Sequence, residues 1–238
     1  TASLLVLGFL AIRIASSAVS EKVETHLKDK ATDTAEILNG RIDAFFQLME
    51  GIARVPVFRD DVASHQEKLA ILKKEIAHND LFVEAAIVDI EGNMYHTENS
   101  KIISVADRQW FQTPLKGGRF VTEPFFSRAT NQMIITFAIP IRNNLNNITH
   151  VLAIGILASW LSEQIDDIVV GSTGYCYILG LTGNTIAHKN AELVTKAANA
   201  IELAKTDASL REMATFQKQS LEIETSEVGY YTYKGRKN

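Results

Sequence analysis

Cysteine is nearly absent from this 238-residue sequence, and proline (four) and tryptophan (two) are scarce. A single thiol, Cys176, cannot close an internal disulfide and provides neither a CxxC redox pair nor a thiolate metal cluster. The plain reading is a small residue buried in a strand, and one cysteine is compatible with an oxidising or a reducing compartment. An excess of basic charge is also missing. The formal net charge is −4, so nothing suggests the clustered cationic face that nucleic acid requires. The six histidines, at positions 26, 65, 78, 96, 150 and 188, form no HExxH or short ligand cluster, so no metal or cofactor site is expected. There is no GxSxG elbow and no phosphate loop, because Gly171-Ser172-Thr173-Gly174 lacks the lysine. No catalytic residue is assigned. A hydrolase with a dispersed triad is the remote alternative, since triad members need only meet in space.

What is present is globular: 46% hydrophobic and 22% charged residues, enough for one large domain or two modest ones. Residues 1–18, TASLLVLGFLAIRIASSA, are apolar apart from Arg13 and a few small hydroxyl residues. This predicts the end of a transmembrane helix, with a buried helix of a soluble core as the other reading. A membrane anchor here would place the remainder outside the cell inner membrane, in the periplasm or beyond. Residues 19–55 then carry an apolar stripe at Val23, Leu27, Ala31, Ala35, Leu38, Ile42, Phe45, Met49 and Ile52, closed by Pro56. Such a stripe predicts a long stalk helix of about 50 Å that either seams a homodimer or packs on its own domain.

After a shorter helix near His65 to His78 the text turns β-like. Val83 to Ile90 and Met94 to Thr97 flank Glu91-Gly92-Asn93, a hairpin signal. The phrase Ile87 to Asn93 recurs as Ile178 to Asn184, an offset of 91 residues measured from Gly92 to Gly183. Two tandem copies of one unit are therefore expected. Copy one continues through a helical stretch at Asp107 to Gln112 and strands at Phe120 to Phe126, Met133 to Arg142 and Val151 to Leu157. A connecting helix from Ser159 to Ile168 leads to copy two. The offset puts the counterpart of the first copy's last strand beyond Asn238, so the second copy is expected to be incomplete within this sequence.

Asp107-Arg108-Gln109-Trp110-Phe111, Thr122-Glu123-Pro124-Phe125-Phe126 and Phe137-Ala138-Ile139-Pro140-Ile141, in that order, resemble the pocket-forming stretch of a membrane-distal Cache unit. Residues 171–188, GSTGYCYILGLTGNTIAH, likewise resemble the opening of a membrane-proximal unit. The chain is thus similar to the double Cache sensor region of bacterial methyl-accepting chemotaxis receptors. The resemblance implies an α+β fold: residues 56–158 as the distal unit and residues 159–238 as connecting helix and proximal unit, both PAS-like antiparallel sheets. It also implies extracytoplasmic small-molecule sensing. Histidine kinases and cyclic-dinucleotide enzymes carry the same kind of sensor and are the alternative outputs.

In members that bind amino acids, an Arg-x-Trp-aromatic segment holds the ligand carboxylate, and Arg108, Trp110 and Phe111 stand there. A guanidinium is a planar, permanent fork for a carboxylate. Arg108 could instead pair with Asp107 or Glu123, and Trp110 and Phe111 could be plain core, the more natural reading for Phe111. The resemblance also implies anionic anchors for a ligand ammonium, and here the sequence departs from it. Phe125 stands where tyrosine is common, Ser127 at the following acidic position, and Gly155 at the usual aspartate. Without an anion, a simple organic carboxylate is expected over an α-amino acid. Arg128 would strengthen that preference if turned inward, but a solvated loop is its default. Tyr95 could reach the pocket from the opposite wall or pack across strands. Tyr175 and Tyr177 share one face of the second sheet, where the resemblance implies transmission of the signal and not binding.

Overall fold

The computed structural model describes residues 2–170, 174–223, 228–229, 232–233 and 236–237, so residues 171–173 of the glycine-rich phrase lie outside the described residues. A single helix, α1 (Ala2–Ala53), runs through both the expected anchor and the stalk without a break at residue 18. At 52 residues it extends about 80 Å. No helix among the described residues is long and apolar enough to cross a membrane. The N-terminal part of α1 nevertheless stands apart from the core, with Val6, Leu7, Phe9, Leu10, Ile12 and Ile14 all at least half exposed.

The stripe on α1 has two fates. Val23, Ala31 and Ala35 are exposed, whereas Leu38, Ile42, Phe45, Met49 and Ile52, with the neighbouring Phe46, pack on the sheet. Phe45 stacks on Phe137 at 5.1 Å and meets Trp160 edge-on at 5.2 Å. Burying each such side chain contributes roughly 1.5–3 kcal/mol, which holds this end of the helix to its own domain. Pro56 then begins α2 (Pro56–Arg59), where its missing N–H costs nothing. Helix α3 (His65–Ala77) starts on a capping box in which Ser64 and Glu67 satisfy each other's backbone N–H.

The first unit is one antiparallel sheet. Its strands are β1 (Phe82–Asp89), β2 (Asn93–His96), β3 (Ile103–Ser104), β4 (Phe120–Val121), β5 (Phe125–Phe126), β6 (Met133–Arg142) and β7 (Ile148–Leu157). Their order is β3-β2-β1-β7-β6-β4, with β5 also paired to β6. The expected strand from Phe120 to Phe126 is broken in two, and α4 (Gln109–Leu115) begins two residues later than expected. Side chains alternate as strand period demands. Ile87, Ile135, Phe137, Ile139, Leu152 and Ile154 face the helices, while Ala86, Val88, Ala138, Val151 and Ala153 face a second, smaller core with Met94, Val105, Trp110 and Phe111.

A short helix α5 (Ser159–Glu163) connects to the second unit, ending well before Ile168. There β8 (Val169–Val170) pairs with β9 (Gly174–Tyr175), and β10 (Tyr177–Leu179) pairs with β11 (Thr185–His188). The sequence repeat is a structural one: Gly92 and Gly183 both turn at positive φ, 88° and 83°, each donating to the carbonyl three residues back. Helices α6 (Ala191–Thr195), α7 (Ala200–Leu203) and α8 (Arg211–Ser220) follow, the first two capped by Asn190 and Asn199.

Candidate functional site

The second face of the first sheet is hollow because its inward positions are small. Ala86 on β1, Thr136 on β6, and Ala153 and Gly155 on β7 form a floor with little side-chain bulk. Trp110 and Phe125 wall the space above that floor, and Met94, Ile103 and Val105 close one side. The enclosed part of the cavity is small, about 40 Å³, and it widens to about 470 Å³ when its open mouth is counted.

Charges of both signs line it, positive from Arg108 and Arg128 and negative from Glu84. Arg108, at the N-terminal boundary of α4, leaves about a third of its side chain exposed, with Nε 3.7 Å from the Asp107 carboxylate. Arg108 is therefore both a wall of the cavity and half of a loose, solvated pair. It does not reach Glu123. Glu84 on β1 is the negative charge, and the sequence reading had found no anion here. Its Oε2 accepts from Ser127 Oγ at 2.7 Å and Thr130 Oγ1 at 2.9 Å, and His96 Nε2 lies 3.6 Å away. Oε1 has no hydrogen bond among the described residues. Burial pushes the Glu84 carboxyl up, but the nearby His96 imidazole and the hydrogen bonds from Ser127 and Thr130 outweigh it and hold the group below the usual carboxylate range. The site therefore keeps a fixed negative charge at neutral pH. His96 Nδ1 accepts the Glu98 N–H at 3.0 Å, which places the proton of the neutral ring on Nε2, facing Glu84.

The expected site residues separate into three groups. Arg108, Trp110, Phe125 and Ser127 line one cavity together with Arg128, whose side chain is exposed at the mouth. Within that set Ser127 is occupied: it donates to Glu84 and accepts the N–H groups of Ala129 and Thr130. Its evident work is to hold the carboxylate and the turn. Phe111 and Tyr95 take the second of the two readings open to each, core and cross-strand packing. Phe111 is 3% exposed in the small core and does not line the cavity. Tyr95 points through the other face of β2, stacks on His65 at 3.9 Å and donates to Asp89 Oδ2 at 3.2 Å. The missed residue, Glu84, lies in a strand the sequence had identified. Its partner across the sheet is Gly155, the position where an acid was sought.

The wall is also tied to the second unit. Glu123, two residues before Phe125, accepts the backbone N–H of Leu181 at 2.8 Å, at the tip of the β10–β11 hairpin.

A curled antiparallel sheet on a long helix, with a charged and aromatic cavity on its free face, defines a small-molecule sensor module. The Cache domain family model matches residues 15–238. The chain belongs to the double Cache family. It is 21% identical over 188 residues, 76% of this chain, to the methyl-accepting chemotaxis protein PscA of Pseudomonas syringae pv. tomato, covering 29% of that receptor. Its fold is similar to the ligand-binding domain of the Pseudomonas fluorescens chemoreceptor CtaA, solved with L-isoleucine (TM-score 0.68, 16% identity, 93% of this chain and 85% of that one). It is also similar to the ligand-binding domain of the Pseudomonas aeruginosa amino acid chemoreceptor PctC with GABA (TM-score 0.58, 20% identity, 76% and 81%). The chain spans less than a third of the length of the curated relatives it matches.

Proposed function

We propose that this chain is the extracytoplasmic sensing region of a transmembrane chemoreceptor. Its distal pocket takes a small bipolar molecule, with a carboxylate at Arg108 and an ammonium at Glu84. One observation carries the reading: a guanidinium and a buried, hydrogen-bonded carboxylate line the same aromatic-walled cavity. This replaces the expectation of a simple carboxylate, because the anion that an ammonium needs stands on β1. L-isoleucine and GABA, found in the domains of similar fold, both carry the two charges.

Micromolar recognition needs about 8 kcal/mol. Two charge-assisted contacts of about 1.5–3 kcal/mol each leave the balance to enclosure by Trp110 and Phe125. Binding signals by favouring one of two conformations, and α1, packed on the same sheet, is the element positioned to carry the shift. Its exposed apolar residues from Val6 to Ile14 support a membrane anchor, and the exposed part of the stripe at Val23, Ala31 and Ala35 supports a homodimer seam.

The test is a thermal-shift series with L-isoleucine, GABA, and analogues of each lacking either the ammonium or the carboxylate. Ligand at 100 times Kd adds about 2.7 kcal/mol. The bipolar compounds should raise Tm, the single-charge analogues should not, and Arg108→Ala and Glu84→Gln should each abolish the rise. Equal shifts from analogues lacking the ammonium, unchanged in Glu84→Gln, would return the site to simple carboxylates.

A further inference from the structure

The second unit holds a cavity of its own, separate from the distal pocket. It lies between the β10–β11 hairpin and helices α6 to α8 and contains about 880 Å³ of empty space, counting its mouth. Among the described residues, none that lines it is Asp, Glu, Lys or Arg. Tyr175 and Tyr177 form an aromatic wall, with ring centroids 5.0 and 6.0 Å from that of His188, and Leu203 and Met213 supply apolar surface opposite. The chemistry is the reverse of the distal site, where charges of both signs face one space.

Two polar groups stand in this apolar setting. His188 donates its backbone N–H to Ser162 Oγ at 3.2 Å and its Nδ1 accepts the Asn190 N–H at 2.8 Å, so the neutral ring carries its proton on Nε2, which neither bond uses. Burial and the neighbouring Lys189 push this imidazole down, which keeps it uncharged. Gln217 on α8 is 5% exposed; its Nε2 donates to the Tyr177 hydroxyl at 3.3 Å, while its Oε1 is fully buried with no partner. A buried, unpaired amide oxygen is costly, and a replaceable surface glutamine would not be held there. One donor and one acceptor are thus left unpaired beside a pocket whose described lining residues carry no formal charge.

We infer that the proximal unit is a second binding site, for a small uncharged molecule with an apolar body and a head that both donates and accepts, a primary amide being the best match. The amide N–H would go to Gln217 Oε1, its carbonyl to His188 Nε2–H, and its apolar body between the tyrosine rings and α7–α8. A charged isostere would lose its hydration with no counter-charge among the described lining residues, and the nearby Lys189 is held against the Tyr175 ring, Nζ 3.8 Å from its centre. This departs from the expectation that the proximal unit only transmits, and it does not depend on the distal reading.

The experiment is calorimetric titration of the full-length protein with benzamide, benzoate and benzylamine, using the parent, Gln217→Leu and Glu84→Gln. Benzamide should bind parent and Glu84→Gln alike, bind Gln217→Leu at least tenfold more weakly, and outbind both charged isosteres at least tenfold. In the parent, the side-chain amide resonance of Gln217 should shift on titration, a readout that stands even if Gln217→Leu fails to fold. Failure of benzamide to bind, equal binding of benzoate, or binding lost in Glu84→Gln and kept in Gln217→Leu would each overturn the inference; the last would assign benzamide to the distal pocket.

Discussion

Glu84 and Gly155 face each other across β1 and β7, and a Cβ built on Gly155 would lie 2.6 Å from Glu84 Cγ. The glycine is what gives the glutamate room. Gly155→Ala should therefore displace a carboxylate already fixed by Ser127 and Thr130, costing about 1–3 kcal/mol of stability and the ammonium-dependent part of ligand binding. Combining Glu84→Ala with Gly155→Asp moves the anion one strand over and should restore binding of bipolar ligands. Calorimetry on the three variants checks this, and failure of the double variant to recover would show that the two positions are not interchangeable.

The Glu84 carboxyl also sets an acid limit. A carboxyl held below its unfolded value contributes stability that is full above the ordinary carboxylate range and is lost as pH falls through the folded value. Denaturant titrations should show stability declining on the acid side of that range, with a shallower decline in Glu84→Gln, which has no proton to take up.

Ser127→Ala removes a donor to this buried anion. The expected loss is about 1.5–3 kcal/mol, the usual worth of a hydrogen bond to a charged group, read as a lower denaturation midpoint at unchanged slope. The turn suffers as well, because Ser127 Oγ accepts from Ala129 and Thr130.

A separate pH dependence comes from the helix side of the sheet. His150 Nε2 lies 3.3 Å from His65 Nε2, and burial, then Lys68 and His65, push the His150 imidazole down to about 4, against a smaller opposing pull from Asp89 and Asp61. The unfolded chain binds a proton near 6.5 that the folded ring refuses until about 4. Stability should therefore fall as pH drops through that window. Tm measured from pH 8 to 4 should slope there in the parent and be flatter in His150→Gln. His65, also pushed down by burial, adds in the same direction.

Much of this was legible in the sequence. Met133 to Arg142 is a strand as read, Gly92 and Gly183 mark equivalent hairpins, and Arg108, Trp110, Phe125 and Ser127 meet at one cavity. Glu84 was hidden because its role depends on which residue lies beside it on β7, and cross-strand pairing over some seventy residues leaves no local pattern. Tyr95 had two readings, and period-2 alternation, which sets it on the face opposite Met94 and His96, favours packing across strands. The caps Asn190 and Asn199, each followed by a glutamate within the first helical turn, were a usable signal for α6 and α7.

The tie between Glu123 and the β10–β11 hairpin ends on a backbone amide, and Leu181, which supplies that amide, has a side chain 94% exposed. Mutational drift at position 181 is therefore free to pass through almost any residue and leave the two units joined, since every one but proline brings the same N–H. Position 180 has no such freedom: a side chain there would collide with the Glu123 carboxylate. Across natural variants the tie should be inherited as a glutamate and a glycine, with no memory of the residue that makes the bond.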